Sequence, residues 1–225
     1  ENSFLTYVKN GDLGIVRLFL QQGMSPNARW TDDYTALMVA SEQGHIEVVD
    51  LLIKSGAELN RKSAGGETAL SLASKVGRVE TVERLLKNKA HVDARALLNC
   101  FATTSRPKAG HAPDVTGAAA KTDELLSLMV KSGVDVNIRD THEPKLTPLM
   151  MAALQGRAQA LQALVGAKAR VDEIDSHGET ALFYAIKSSC VDCVEFLVEK
   201  GAKPVHQNKK GVTPLELAIK TKPTE

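Results

Sequence analysis

The hexapeptide Thr35-Ala36-Leu37-Met38-Val39-Ala40 decides how this chain folds, because its pattern recurs. Every copy begins with threonine, has alanine or proline second and leucine third, and ends with alanine. The other copies occupy 68–73, 147–152, 180–185 and 213–218. The first two copies start 33 positions apart, and the last three follow one another at the same interval. A fixed period of this length indicates stacked structural repeats.

A second marker has the same period. Gly11, Gly44 and Gly77 are 33 positions apart, and so are Gly156 and Ser189. Each is followed by an apolar pattern of helical spacing and then by a turn of small residues, such as 54–57. The period and the hexapeptide, which is similar to T-P-L-H-x-A, resemble the ankyrin repeat. The resemblance covers nearly the whole chain.

This resemblance implies an all-α ankyrin-repeat solenoid of about six to seven stacked helix-turn-helix units. The threonine hydroxyl is expected to cap the first helix of each unit, with alanine or proline at the first helical position. We predict a single domain over 1–225. Its parts are an N-terminal capping unit at 1–29, repeats at 30–62, 63–95, 142–174 and 175–207, and a C-terminal cap at 208–225.

The segment 96–141 is irregular. From Gly77 to Lys121 is 44 positions where the period requires 33, so 11 residues are extra, and no threonine hexapeptide precedes the first helical pattern of the segment at 96–102. Its prolines and glycines predict an inserted loop over 103–121, with a helix resuming at Thr122. A long loop in a repeat protein is either functional or disordered, and we favour a role in recognition.

Composition narrows the class of partner. The formal net charge of the 225 residues is +1, which argues against non-specific binding to nucleic acid or membranes. No apolar run approaches the roughly 18 residues that span a bilayer. We therefore expect a monomer that binds another protein, with no nucleic acid and no membrane span. Lysines near the C-terminus are the one feature that favours nucleic acid instead.

The sequence contains few motifs that indicate catalysis or metal binding. No two histidines have the i, i+4 spacing of a helical zinc motif, and nucleophile elbows and phosphate-binding glycine loops are absent. We predict no enzyme, no catalytic residue, no cofactor and no metal. The alternative is a catalytic site that the sequence does not reveal.

The CxxC motif formed by Cys190 and Cys193 suggests metal or redox chemistry. However, the period places Cys193 at the inward position of Val48 and Cys190 at the surface position of His45. We therefore predict two separate thiols rather than a functional pair. Cys100 is expected in the core.

The resemblance implies a concave binding face made of turn tips and the exposed sides of the first helices. The candidate partner-binding residues lie there or in the inserted loop: Trp30, Tyr34, Glu42, Lys75, Arg106, Lys108, His111, His142, Leu154, His177, Lys187 and Lys209. Trp30 is the only tryptophan, and two interpretations of its role are open. It is an exposed binding hot spot, or it folds back over the first unit as a lid.

The small size and the irregular fourth unit resemble small stand-alone bacterial ankyrin proteins, one kind of which protects a cell from its own exported cell-wall peptidases. That resemblance implies an inhibitor or immunity protein that occludes the active site of a cell-wall hydrolase. The alternative is a cytosolic adaptor or scaffold in signalling or transcription regulation. The chain begins at Glu1, so we expect that a segment was removed. If it was a signal peptide the compartment is the periplasm, and otherwise the cytoplasm.

Overall fold

The computed structural model describes residues 2–101, 117–140 and 143–221, which form thirteen α-helices and no strand. The chain divides into two compact units, Glu1–Thr103 and Thr104–Glu225, called unit 1 and unit 2. The helices of unit 1 are α1 (Asn2–Asn10), α2 (Leu13–Gln21), α3 (Ala36–Gln43), α4 (Ile46–Lys54), α5 (Ala69–Val76), α6 (Val79–Lys87) and α7 (Ala94–Asn99). Those of unit 2 are α8 (Gly117–Lys131), α9 (Pro148–Leu154), α10 (Ala158–Gly166), α11 (Ala181–Lys187), α12 (Val191–Glu199) and α13 (Pro214–Thr221). That the two units form the single domain expected over 1–225 stays a prediction.

Each unit has two layers of helices. In unit 1 the first helices of successive repeats, α1, α3, α5 and α7, pack side by side, and α2, α4 and α6 form the second layer. In unit 2, α9, α11 and α13 make one layer, while α8, α10 and α12 make the other. The fully buried side chains that join the layers include Leu37, Leu52 and Leu70 in unit 1, and Leu125, Leu161 and Phe183 in unit 2.

Threonine caps begin most of the first helices. The Oγ1 atoms of Thr35, Thr68, Thr147 and Thr213 each accept the backbone N–H three residues later, at 3.1 to 3.3 Å. This satisfies an amide that has no partner within the helix. The capping prediction is confirmed at these four positions. It is wrong at Thr180, whose buried hydroxyl has no hydrogen-bond partner among the described residues.

Backbone conformation repeats with the sequence period. The residues between the paired helices have φ of 56° to 83°: Gly11, Gly44, Gly77, Gly156 and Ser189. The turn tips have φ of 58° to 77° at Asp33, Gly66, Lys145, Gly178 and Gly211. Glycine adopts a positive φ without steric cost and aspartate tolerates it, which explains the residues at positions 66 and 33.

The predicted loop over 103–121 is wrong at its C-terminal end, because α8 begins at Gly117 and includes 117–121. Three consecutive alanines at 118–120 explain the early start, since alanine has the highest helix propensity. The rest of the predicted loop, from Thr103 to Thr116, lies outside the described residues.

Candidate functional site

Neighbouring turn tips are joined by backbone hydrogen bonds within each unit. In unit 1 the N–H of Ala64 donates to the carbonyl oxygen of Asp32 at 2.8 Å. In unit 2 the N–H of Ser176 donates to Pro144 O at 3.0 Å, and the N–H of Lys209 donates to His177 O at 2.9 Å. Side chains on consecutive tips are therefore held at fixed spacing.

Trp30 packs onto unit 1. Its ring stacks on that of Phe4, with centroids 5.7 Å apart and planes 24° apart, and it is half-buried. Phe4 is fully buried and also contacts Phe19 edge to face. This arrangement matches the alternative in which Trp30 covers the first repeat, and a role in binding stays a prediction.

An acidic environment surrounds Tyr34. Partial burial, and after it the negative charges of Glu42, Glu67 and Asp32, raise the pKa of the Tyr34 phenol. Tyr34 and Glu42, two of the predicted binding residues, therefore belong to one cluster. Lys75 is exposed in the last turn of α5.

In unit 2 the predicted site is organised around a buried carboxylate. Asp175 Oδ1 accepts the backbone N–H groups of His177 and Glu179, both at 2.8 Å, and Oδ2 accepts the hydroxyl of Tyr184 at 2.6 Å. The imidazole Nδ1 of His177 lies 3.6 Å from the same Oδ2. Asp175 thus fixes the tip that carries His177 to the helix that carries Tyr184.

Lys187 lies beside this anchor. Its Nζ is 5.1 Å from the centroid of the Tyr184 ring and is bonded to the Glu179 carboxylate. Asn208 Nδ2 donates to the other oxygen of Glu179 at 3.3 Å. The ammonium group is therefore held by a ring and a carboxylate while its side chain stays 37% exposed.

Further cations lie on the tips of unit 2. Lys145 Nζ is 3.5 Å from Glu143, and the Ser176 hydroxyl, followed by Lys145 and His177, lowers the pKa of the Glu143 carboxyl. Lys209 is exposed, and among the described residues no carboxylate lies within ion-pair distance of it. We call the surface formed by Lys145, His177, Lys187 and Lys209 the cationic face, after its three lysines.

The structure thus brings together three predicted residues, His177, Lys187 and Lys209. Leu154 is half-buried at the end of α9. Sequence reasoning missed Asp175, Glu179 and Tyr184, although the first of these starts the D-x-x-G turn at 175–178, which was a usable signal. Four other candidates lie outside the described residues: Arg106, Lys108, His111 and His142.

The cysteine prediction needs correction. Cys190 and Cys193 form a disulfide, whereas the sequence analysis expected two separate thiols. The expected burial of Cys193 is confirmed, and so is that of the free Cys100. The error lay in treating the two positions as facing apart. A residue just before a helix and the third residue inside it have side chains close enough to interact.

The described residues contain neither a metal-binding cluster nor a helix that could span a membrane. No three His, Cys, Asp or Glu side chains are grouped so that they could hold a metal ion. None of the described helices combines the length and the apolar character needed to cross a bilayer.

The chain belongs to the ankyrin-repeat family. A family model described as "Ankyrin repeats (3 copies)" matches residues 4–96 and 116–208. Ankyrin repeats are protein–protein interaction modules, and their fold is a non-enzymatic interaction scaffold. The crystal structure of the human ASB11 ankyrin repeat domain is similar, with a TM-score of 0.74 and 23% identity over 96% of this chain and 90% of that one. It confirms the predicted fold.

Curated relatives share only part of their length with this chain. Putative ankyrin repeat protein FPV031 of Fowlpox virus (strain NVSL) is 33% identical over 97 residues, which are 43% of this chain and 28% of that protein. Ankyrin repeat and SOCS box protein 2 of Bos taurus is 36% identical over 88 residues, or 39% and 14%. The chain spans less than a third of the length of these relatives.

Proposed function

We propose that this chain binds a partner protein through the cationic face of unit 2, and that the partner presents acidic side chains to it. The observation that carries the proposal is the placement of Lys187, which stays partly exposed between the Tyr184 ring and the Glu179 carboxylate. A lysine that is already ordered loses less side-chain entropy when a partner binds.

His177 and Lys209, which lie on neighbouring turn tips, also favour a partner with an acidic surface. The tips that carry His177 and Lys209 are joined by a backbone hydrogen bond, so their side chains approach a partner at fixed spacing. Lys209 offers a charge that no described carboxylate neutralises. Complementary charge of this kind raises association rates and selects the partner more than it adds affinity. Binding should therefore weaken as ionic strength rises.

In its more specific form, the proposal is that the partner is a cell-wall hydrolase, with the chain acting as an inhibitor or immunity protein. A surface that needs little rearrangement is suited to covering an active-site cleft. The test is affinity capture from the source organism with the full chain as bait. Recovery of a hydrolase whose activity falls on stoichiometric addition supports this role, and recovery of regulatory proteins alone contradicts it.

Lys200 supplies a matched control for the binding surface. Its Nζ lies 5.4 Å from the Phe196 ring and 3.0 Å from a Glu199 oxygen, and its side chain is 41% exposed, so it resembles Lys187 in its ring contact, its acidic neighbour and its own exposure. Lys200, however, directly follows α12, which belongs to the layer of α8 and α10, whereas Lys187 ends α11 in the layer of α9 and α13. We expect Lys187→Ala to weaken partner binding about tenfold, or about 1.4 kcal/mol, and Lys200→Ala to leave affinity nearly unchanged. Equal effects would contradict the assignment of the face.

The second candidate is a cytosolic adaptor or scaffold. It is favoured by relatives such as Ankyrin repeat and SOCS box protein 2, in which the matched residues are 14% of a longer protein. In this case affinity capture recovers signalling or transcription proteins, and the matched lysine variants still differ.

A further inference from the structure

We propose that Cys190 and Cys193 form a thiol–disulfide exchange site, in which a dithiol reductant opens the disulfide by attacking Cys190. Three observations around the start of α12 carry the inference. They are the position of the pair on the helix, the unequal exposure of the two cysteine residues, and the departure of this repeat from the others.

The pair lies where a helix stabilises a thiolate. Cys190 is the residue before α12 and Cys193 is its third residue, and Cys190 Sγ accepts the Cys193 backbone N–H at 3.2 Å. The corresponding helices α4, α6 and α10 begin after His45, Arg78 and Arg157, none of which caps its helix with a side chain. Once the disulfide is open, the same N–H and the positive end of the helix favour the Cys190 thiolate. Asp192 opposes this only weakly, because it is exposed and screened by water.

The two cysteine residues differ in exposure to solvent. Cys193 is completely buried, while Cys190 is only partly buried. Gly156 of the preceding repeat lies against the Cys190 side chain, since a Cβ added to it would be 3.6 Å from Cys190 Cβ, and Cys190 nevertheless stays the more exposed cysteine of the pair. A thiolate from solvent therefore reaches Cys190 first, and Cys193 is the leaving sulfur.

This repeat also departs from the others at the same position. His45 and Arg78 each bond to a carbonyl oxygen of the preceding repeat, at 2.8 and 3.2 Å. Among the described contacts Cys190 makes no such bond, and its sulfur is committed to Cys193 and the start of α12. At this position the side chain therefore bonds within its own repeat, to Cys193, and not to any described residue of the preceding repeat.

The exchange is balanced in two steps. A reductant thiolate attacks Cys190 Sγ, a mixed disulfide forms, and the electron pair of the broken bond moves to Cys193 Sγ, which takes a proton. The second thiolate of the reductant then attacks the reductant sulfur in the mixed disulfide. The reductant leaves as its own disulfide and Cys190 is released as a thiolate. Two electrons pass from the dithiol to the protein.

The test uses the oxidised full chain in native buffer with dithiothreitol as the dithiol. After alkylation, mass spectrometry of the peptide that contains both cysteines should show two alkyl groups, while circular dichroism of the same sample shows unchanged helix content. A disulfide that opens only in denaturant, or whose opening unfolds the chain, is a structural crosslink and overturns the proposal. So does a chain that forms no disulfide when treated with glutathione disulfide.

Single-cysteine variants test the direction of attack. In a Cys100→Ser background, the Cys193→Ser variant leaves Cys190, which should take up glutathione from glutathione disulfide. The matched Cys190→Ser variant leaves the buried Cys193, which should react at least about tenfold more slowly. Equal rates, or a faster Cys193, would overturn the assignment. If either variant folds poorly, the dithiothreitol experiment on the unmodified chain still shows whether the disulfide opens in the folded protein.

Discussion

His45 bonds to Lys9 across a repeat boundary: the imidazole Nε2 lies 2.8 Å from the carbonyl oxygen near the end of α1 and donates to it. Arg78 makes the equivalent bond one repeat later, from Nε to Glu42 O at 3.2 Å. Both side chains pass directly over the glycine of the preceding repeat, since an added Cβ on Gly11 would lie 2.7 Å from His45 Nδ1. The glycine marker in the sequence thus reflects close packing between repeats as well as turn geometry.

The first prediction separates the effect of turn geometry from that of close packing between repeats at two glycines of unit 1. Gly11 and Gly23 both have positive φ, 79° and 92°, but a Cβ on Gly23 meets no atom within 4 Å. Gly23→Ala should therefore lower the free energy of unfolding by about 1–2 kcal/mol from backbone strain alone. Gly11→Ala should cost about 1 kcal/mol more, because it also displaces the imidazole from Lys9. Urea unfolding followed by Trp30 fluorescence measures both, and equal losses would contradict the packing argument.

The second prediction compares two threonines of the repeated hexapeptide. Thr68 Oγ1 accepts the Ser71 N–H at 3.1 Å, and Ser71 Oγ accepts the Thr68 N–H at 2.8 Å. Thr68→Val keeps the shape of the side chain and removes this cap, so it should lower the free energy of unfolding by about 1 kcal/mol. Thermal or urea unfolding followed by circular dichroism measures the loss.

Thr180→Val is the control for this cap. The Thr180 hydroxyl is buried without a partner among the described residues, so replacing it by a methyl group should be neutral or stabilising. A loss as large as that of Thr68→Val would show that the hydroxyl has a role that the structure does not reveal.

The repeat architecture was predictable because each of its parts is local in sequence. The threonine caps, the positive-φ positions and the apolar helix patterns all lie within a few residues of the atoms they fix. The spacing of 33 residues then places equivalent atoms of successive repeats side by side. Asp33 illustrates this, since it lies 33 positions before Gly66 and has a positive φ as well.

The parts that could not be predicted depend on contacts between distant residues or on competing local preferences. The sequence left two alternatives open for Trp30, because its stacking on Phe4 joins residues 26 positions apart and no local pattern decides between them. The start of α8 at Gly117 was hidden because the preceding prolines and glycines outweighed three alanines. The Asp175 network was partly predictable, because its turn pattern was visible, whereas the hydrogen bond from Tyr184 was not.

The third prediction concerns acid stability. The hydrogen bond from Arg170, and after it the bond and charge of Arg139, lower the pKa of Glu173 below its ordinary value of 4.5. Because the pKa is depressed in the folded state, the ionised carboxylate stabilises the fold above about pH 4.5. This contribution is lost as the pH falls through the folded value. Glu173→Gln should therefore be less stable than the unmodified chain near neutral pH and converge with it in acid.

Urea unfolding of both proteins across this pH range measures the difference. Glu199→Gln is the control, because Glu199 is 70% exposed and, in the described part of the chain, forms an ion pair only with the adjacent Lys200. It should stay within about 0.5 kcal/mol of the unmodified chain throughout. A Glu173→Gln curve that runs parallel to the unmodified one down to the lowest pH would contradict the assigned cause.

The last prediction decides between the two alternatives for Trp30. Its ring is half-buried against Phe4, so Trp30→Ala removes aromatic contact area and should lower the free energy of unfolding by about 2 kcal/mol. Trp30→Phe keeps a ring and should lose less than half of that. Because the proposed binding surface is the cationic face of unit 2, neither variant should change partner affinity by more than about twofold. Calorimetry with the captured partner and circular dichroism during unfolding give the two readouts. A tenfold loss of affinity with unchanged stability would instead make Trp30 a binding hot spot and move part of the interface to unit 1.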